Sequence, residues 1–407
     1  MKLTLVATCM FGLEKLLGEE IDALGLKRLD TMDGRVTFEG EEADIPRANI
    51  HLRCAERVFV RLGYFEAKSF TDLFDGTKAL PWEDWIGRND AFPVKGHSIR
   101  SELTSIPDCQ SIVKKAVVDR LRDKYGISWF EETGVKCQIE FFIFKDMAAL
   151  MLDTSGVALH KRGYRIEAGA APLRETLAAA VALTARPRED ILFWDPFCGA
   201  GTIAIEAAQI VTNRAPGLGR SFAAEQFHRV PKALWANARE AAEAAIKKDC
   251  HFEVYASDID EDILDITYEN ALRGGVEEYI NIFHADARTI KKLDRKGTVV
   301  CNPPYGERMG ELREVEQLYR ELGRNWKNLD PWQIYVLTSH DQFDRLYGRP
   351  ADKTKKLYNG MLPCYLYEFF KPADSMPPKP QPRFESARHQ GKPVGSKPRS
   401  DRNRREK

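Results

Sequence analysis

The 407-residue chain is long enough for two or three domains with separate cores. Its 43% hydrophobic and 30% charged residues describe an ordinary globular protein, and no run reaches the roughly 18–20 apolar residues of a membrane span. Eight scattered cysteines, with no CxxC and no neighbouring His, argue against a bound metal and for a reducing, cytoplasmic setting.

Residues 2–7 alternate as a strand, and Glu14 follows soon after, so the start reads as a fold element and not as a signal peptide. Residues 12–24 carry Leu13, Leu16, Leu17 and Ile21 at helical spacing. Residues 35–39 alternate with period two after an Asp33-Gly34 turn signal. A helix over 45–52 and a strand over 58–62 complete a βαββαβ, ferredoxin-like pattern over residues 1–62.

The pattern then changes over residues 63–156. A helix near 69–79 leads to a strand over 92–100. A helix over 111–125 sets Ile112, Ala116, Val117 and Leu121 against a face of Lys114, Lys115, Arg120, Arg122 and Lys124. That basic face is a candidate for RNA phosphates, although many such faces are simply solvated. Strands over 136–144 and 148–152 flank a Lys145-Asp146 turn.

Residues 157–372 alternate strands (191–195, 252–257, 279–284, 298–301, 334–338) with helices (202–211, 261–273, 312–326). This predicts a mainly parallel, doubly wound α/β sheet. Strands over 354–358 and 365–370, joined through Asn359-Gly360 without a helix, predict an antiparallel hairpin at its edge. Residues 213–248 read as an insertion, with a helix over 231–246 and a position over the active site as one option. From residue 371 onward, 11 Lys and Arg stand against 4 Asp and Glu. Residues 373–407 are rich in Pro, Gly and Ser, which predicts a disordered basic tail suited to a polyanion.

Two motifs carry chemistry. The first, Asp195-Pro196-Phe197-Cys198-Gly199-Ala200-Gly201-Thr202, falls between the first strand of the α/β region and its helix, where doubly wound sheets bind ligands. Gly199 and Gly201 let backbone amides approach a ligand. Asp195 is an acceptor for a cationic amine, which fits the methionine moiety of S-adenosyl-L-methionine (SAM). Asp258, with Ile259 beside it, ends the second strand, and its carboxylate suits two ribose hydroxyls. It lies well beyond the ~20 residues at which a dinucleotide fingerprint places its acid. Asp286 ends the third strand and is a candidate acceptor for the adenine amine. A single acid at such a place is often a helix cap; three at successive strand ends argue for a ligand.

The second motif, Asn302-Pro303-Pro304-Tyr305, follows the fourth strand. The lone pair of a base's exocyclic amine is delocalised into the ring, which makes it a poor nucleophile. The Asn302 side-chain oxygen and the Pro304 carbonyl can hold the two amine hydrogens and turn the lone pair toward a methyl donor. The Pro-Pro pair fixes those acceptors. Tyr305 offers a face on which an extruded base can stack.

These residues resemble the RNA guanine-N2 methyltransferases that join a Rossmann-like domain to a THUMP RNA-binding domain. More closely, the chain is similar to the N-terminal half of the bifunctional bacterial 23S rRNA methyltransferases and to their stand-alone Gram-positive counterparts. His160-Lys161-Arg162-Gly163-Tyr164-Arg165, Pro172-Leu173-Arg174-Glu175-Thr176-Leu177-Ala178-Ala179 and Arg214-Ala215-Pro216-Gly217-Leu218 share the likeness, as do the two motifs and the Gly306-Glu307-Arg308-Met309-Gly310 that follows the second. The resemblance implies a class I (Rossmann-like) methyltransferase domain over 157–372, preceded by α+β ferredoxin-like and THUMP domains. It further implies SAM as cofactor and N2-methylguanosine in 23S rRNA as product, with a guanine-N2 methyltransferase of tRNA as the alternative. The family's larger members carry a second methyltransferase domain, so one modification is expected of this chain. The rival readings are a DNA adenine-N6 or protein glutamine-N5 methyltransferase, a non-catalytic RNA-binding protein and a nicotinamide oxidoreductase. The last would require a third glycine where Gly201 is followed by Thr202-Ile203-Ala204.

Overall fold

The computed structural model describes residues 2–165, 173–306 and 309–371. The tail expected over 373–407, Pro172 of the linker motif, and Glu307 and Arg308 after the second motif lie outside the described residues.

The first seven strands form one sheet. β1 (Leu3–Cys9), α1 (Glu14–Ala23), β2 (Lys27–Met32), β3 (Arg35–Gly40), α2 (Asp44–His51) and β4 (Ala55–Glu66) give the βαββαβ order expected. Then come α3 (Phe70–Lys78), β5 (Val94–Ile99), α4 (Ile106–Tyr125), β6 (Ile139–Phe144) and β7 (Met147–Asp153). The strand order is β2-β3-β1-β4-β7-β6-β5. β4, 12 residues long, is the seam: one stretch pairs antiparallel with β1 and the other with β7. The division expected between residues 62 and 63 therefore falls inside a continuous strand, and the two modules share one hydrogen-bond ladder.

Local chemistry explains the boundaries. Ser69 and Asp72 form a reciprocal capping box that opens α3. α4 starts at Ile106, earlier than its hydrophobic stripe suggests, because Pro107 presets the first turn, and it ends at Gly126 with φ +64°. Lys145 and Asp146 have φ of +49° and +63°, a left-handed pair that matches the twist of the β6–β7 hairpin. β2 gives no period-two signal because nearly all of it is solvent-exposed.

The second sheet is built from α5 (Glu175–Ala185), β8 (Leu192–Asp195), α6 (Thr202–Val211), α7 (Lys232–Ala244), β9 (Val254–Asp258), α8 (Asp262–Gly274), β10 (Ile280–His284), β11 (Gly297–Cys301), α9 (Met309–Asn325), β12 (Gln333–Thr338), α10 (Phe343–Tyr347), β13 (Lys353–Asn359) and β14 (Leu362–Phe369). Its order is β10-β9-β8-β11-β12-β14-β13. β8 to β12 run parallel, and the β13–β14 hairpin closes the edge antiparallel, as the sequence predicts. Both faces are covered. Phe193, Ala256 and Val300 join a core continuous with the N-terminal sheet, while Leu192, Trp194, Val299 and Cys301 pack with Tyr319, Leu322, Trp326 and Phe343 on the other side. Burial on both faces is why these strands read as unbroken apolar runs. α5 carries no helical period in the sequence because it is buried almost all round.

The insertion does not cover the active site. Gly217 N–H donates to the Ile50 carbonyl at 2.9 Å, Ala224 N–H donates to Thr154 at 3.0 Å, and Arg229 pairs with Glu42 and Asp84. Residues 213–248 thus brace the methyltransferase sheet against the N-terminal one. A cluster of buried charges fastens the same junction. Glu206 of α6 is fully buried and takes Arg162 Nε and the Tyr164 hydroxyl at 3.3 Å each, with Arg53 Nη1 at 3.7 Å. Arg53 also donates to the carbonyls of Gln209 and Arg214, and Arg162 donates to the Arg53 carbonyl. His160 Nδ1 lies 2.8 Å from the Glu56 carboxylate, which also accepts from Thr176 Oγ1 at 2.6 Å.

Candidate active site

The strand order of the second sheet reverses at β8 and β11, and the carboxyl ends of the parallel strands open there into a crevice of about 960 Å³. Pro196, Gly199, Asp258, Ile259 and Asp286 line it, together with Asn302, Pro303, Pro304 and Tyr305. Asn359 and Leu362, at the turn of the β13–β14 hairpin, form its opposite lip.

Asp195 ends β8 just beneath the crevice and is 1% exposed. Its carboxylate accepts the Phe197 N–H at 3.2 Å, and among the described residues no cation pairs with it. Burial, reinforced by the nearby charge of Asp258 and opposed by the Phe197 N–H, pushes the Asp195 carboxyl well above the usual range. A buried acid in that state gains from a cationic ligand.

The two glycines differ. Gly199 has φ +49°, and a Cβ there would stand in open space. Its N–H donates to Asp258 Oδ2 at 2.9 Å. Gly201, at φ +80°, caps α6, and a Cβ there would meet Thr267 Cγ2 of α8 at 2.8 Å. A larger residue at 201 would press on α8, not enter the crevice. Thr202 also lies behind the wall, its hydroxyl accepting from Arg165 Nη2 at 2.8 Å.

Asp258 receives a second N–H, from Asp260 at 3.2 Å, and Ile259 is 60% exposed on the rim. Asp286 lines the crevice, but its carboxylate is not the lone acceptor the sequence suggests. Arg288 grips it through Nε at 2.9 Å and Nη2 at 2.6 Å, and Glu321 holds Arg288 from behind at 3.2 Å. The guanidinium holds the Asp286 carboxyl below its ordinary value.

Both expected amine acceptors already have tyrosine donors. The Tyr305 hydroxyl donates to Asn302 Oδ1 at 2.5 Å, and Tyr319 of α9 donates to the Pro304 carbonyl at 2.7 Å while lying 2.8 Å from Thr338 Oγ1. Cys364 Sγ sits 3.7 Å behind the Tyr305 hydroxyl. Tyr305 thus makes a hydroxyl contact with Asn302 that the stacking role expected from the sequence does not include. The sequence reading missed Tyr319, whose spacing with Val315, Leu322 and Trp326 marks only the buried face of a helix. It also missed Arg288. For that residue a signal existed, a cation two positions beyond a strand-end acid. Among the described residues no group of His, Cys, Asp or Glu could hold a metal ion, and no helix is long and apolar enough to cross a membrane.

A parallel sheet in this order, with a glycine loop after its first strand and Asn-Pro-Pro-Tyr after its fourth, defines a class I methyltransferase. Residues 162–368 match the RMKL-like methyltransferase domain, 4–59 the RlmL ferredoxin-like domain and 67–153 the THUMP domain. The chain belongs to the RMKL-like methyltransferases. It is 44% identical to the Bacillus subtilis protein named "Putative RNA methyltransferase YpsC", over 91% of this chain and 96% of that one. It is 32% identical to the ribosomal RNA large subunit methyltransferase K/L of Psychromonas ingrahamii, over 88% of this chain and 49% of that protein, so it spans about half the length of that relative. The solved structure of SMU.472, complexed with SAH, is 37% identical and superposes with a TM-score of 0.85, covering 91% of this chain and 98% of the other.

Proposed function

We propose that the protein is a SAM-dependent RNA methyltransferase whose target is the N2 amine of a guanine in 23S rRNA. The observation that carries the reading is the meeting of Asn302 Oδ1 and the Pro304 carbonyl with the Gly199 loop and Asp258 in one crevice. The THUMP match, the names of the relatives and the SAH complex of SMU.472 support RNA as substrate and SAM as methyl donor.

SAM, when bound, supplies an electrophilic methyl group on a sulfonium. Asp195 is placed to neutralise its ammonium, the open space at Gly199 admits its chain, and Asp258 can accept from ribose hydroxyls. Arg288 leaves Asp286 with less acceptor capacity toward an adenine amine, while Ile259 offers an apolar wall. At the other end, Asn302 Oδ1 and the Pro304 carbonyl each spend one lone pair on a tyrosine and keep a second for a substrate N–H. Held this way, the amine nitrogen directs its lone pair at the methyl carbon. Bound SAM would supply the methyl group to that lone pair and leave as its thioether, while Asn302 Oδ1 and the Pro304 carbonyl would hold the amine until its extra proton passes to solvent. Catalysis is by positioning and preorganised dipoles, without a general base.

The test is transfer of labelled methyl from SAM to RNA, DNA and protein offered separately. Label should enter RNA alone. Label confined to DNA or to protein would overturn the reading in favour of an adenine-N6 or glutamine-N5 enzyme.

A further inference from the structure

Beside the lip of the crevice lies an exposed aromatic and apolar surface. Phe11, in the turn between β1 and α1, is 57% exposed, between the buried Met10 and Leu13. One edge of its ring lies over Gly34, where a Cβ would stand 3.4 Å from Phe11 Cε1. The ring also meets Tyr358 of β13 edge-to-face, with centroids 6.2 Å apart and planes at 73°. The contact joins the ferredoxin-like module to the methyltransferase hairpin. Three residues on from Tyr358, at the hairpin tip, Met361 is 95% exposed, and Leu362 beside it is 38% exposed. Asn359 and Leu362 of this same turn line the crevice, so the surface is continuous with the place where the target base would enter.

Cations stand beside it. Lys356 Nζ lies 5.7 Å from the centre of the Tyr358 ring, and Arg174, whose Nη2 comes within 3.7 Å of a Cβ built on Gly360, pairs through Nη1 with Glu56 at 3.6 Å. Of the neighbouring carboxylates, Glu14 is turned inward onto the backbone N–H groups of Gly12 and Gly34, and Asp33, next to Gly34, is exposed. Aromatic faces edged by cations match single-stranded nucleic acid, whose bases stack and whose phosphates need counter-charge.

We propose that Phe11, Tyr358 and Met361 form a stacking ledge for the unpaired RNA nucleotides that flank the target base, with Lys356 meeting their phosphates. The proposal rests on the reading of the crevice as an RNA-modifying site and extends it across the domain junction. An extruded base enters the crevice beside this surface, and the ledge would hold unpaired neighbours next to it.

The experiment measures binding of deproteinised 23S rRNA by filter retention at one fixed salt concentration, for the wild type, Phe11→Ala, Met361→Ser and Phe11→Trp. Loss of a base–aromatic stack should weaken RNA binding about tenfold in Phe11→Ala. Met361→Ser should weaken it by a smaller factor, and Phe11→Trp should retain affinity. SAM affinity and melting temperature should stay at wild-type values in all three. Unchanged RNA affinity in folded Phe11→Ala and Met361→Ser would overturn the ledge, and so would a fall in melting temperature that carries SAM affinity down with it. Methyl transfer measured on the same samples separates the two claims. A wild type that binds RNA through the ledge but transfers no methyl contradicts the activity and leaves the ledge standing.

Discussion

The two sheets of this protein use polar side chains in opposite ways. In the methyltransferase half, Asp258, Asp286 and Asn302 stand at strand ends and open into one crevice. In the N-terminal half, the cations that mark α4 as an RNA-facing helix are mostly taken. Lys114 pairs with Glu132 at 2.5 Å, Arg120 binds Glu83 through two hydrogen bonds, Lys124 reaches the same Glu83, and Arg122 pairs with Asp119. Arg120 and its neighbours hold the Glu83 carboxyl down to about 2. A charge signals function by its place relative to strand ends and partners, and not by its count along a helix. The junction between the halves adds a third use, in which buried charges serve as fasteners.

The largest effect that would break this contrast is expected at the junction. Glu206→Ala leaves Arg53 and Arg162 buried without their shared carboxylate, and removing one partner of a buried charge cluster costs about 3–5 kcal/mol. Denaturant unfolding checks it. A loss below about 1 kcal/mol would mean that water already reaches these arginines.

Next comes the crevice. Asn302→Ala should lower single-turnover methyl transfer by about 10²- to 10³-fold, with SAM and RNA affinity nearly unchanged. A near-normal rate would remove Asn302 from the mechanism. Tyr305→Phe sharpens the comparison, because a tyrosine that only stacks would tolerate it. Since its hydroxyl is bonded to Asn302, the loss of one hydrogen bond worth about 1 kcal/mol should slow transfer by roughly five- to tenfold. A rate equal to wild type would return Tyr305 to a stacking role.

Asp195 should set the pH dependence of cofactor binding. Its carboxyl is raised in the ligand-free protein, and an ammonium beside it lowers it again. Binding therefore expels a proton wherever the free carboxyl is still protonated, so SAM affinity should rise with pH through that range and level off above it. Calorimetry in two buffers of different ionisation enthalpy reads the proton directly, and Asp195→Asn should abolish it. Proton uptake on binding would contradict the placement.

The smallest effect is expected on α4. Arg120→Ala should change RNA affinity by less than about twofold and stability by at most about 1 kcal/mol, as exposed ion pairs do. A tenfold loss of RNA affinity would restore the helix as a binding face.

These contrasts follow what the sequence could express. Asp195, Gly199, Asp258, Asp286 and Asn302 were legible because each is tied to a strand end, and strand ends announce themselves by apolar runs that stop at a polar residue. The ferredoxin-like order and the edge hairpin were legible through period two and the turn pairs Asp33-Gly34 and Asn359-Gly360. Partnerships across distance were not. Tyr319 lies 15 residues from Pro304, and its spacing is indistinguishable from ordinary core. The motif from His160 to Arg165 carried a family likeness, but its physical task depends on Glu56 and Glu206, which only the folded chain brings beside it. The docking of residues 213–248 had no local signal either, because its bonds to Ile50 and Thr154 are made by backbone.

The most direct test of the central claim is to map the methyl group itself. The protein would be incubated with labelled SAM and with 23S rRNA and tRNA from a strain lacking its gene, and the nucleosides identified by mass. The account predicts label in N2-methylguanosine at one position of 23S rRNA. Label in N6-methyladenosine, or in guanosines of tRNA alone, would contradict it.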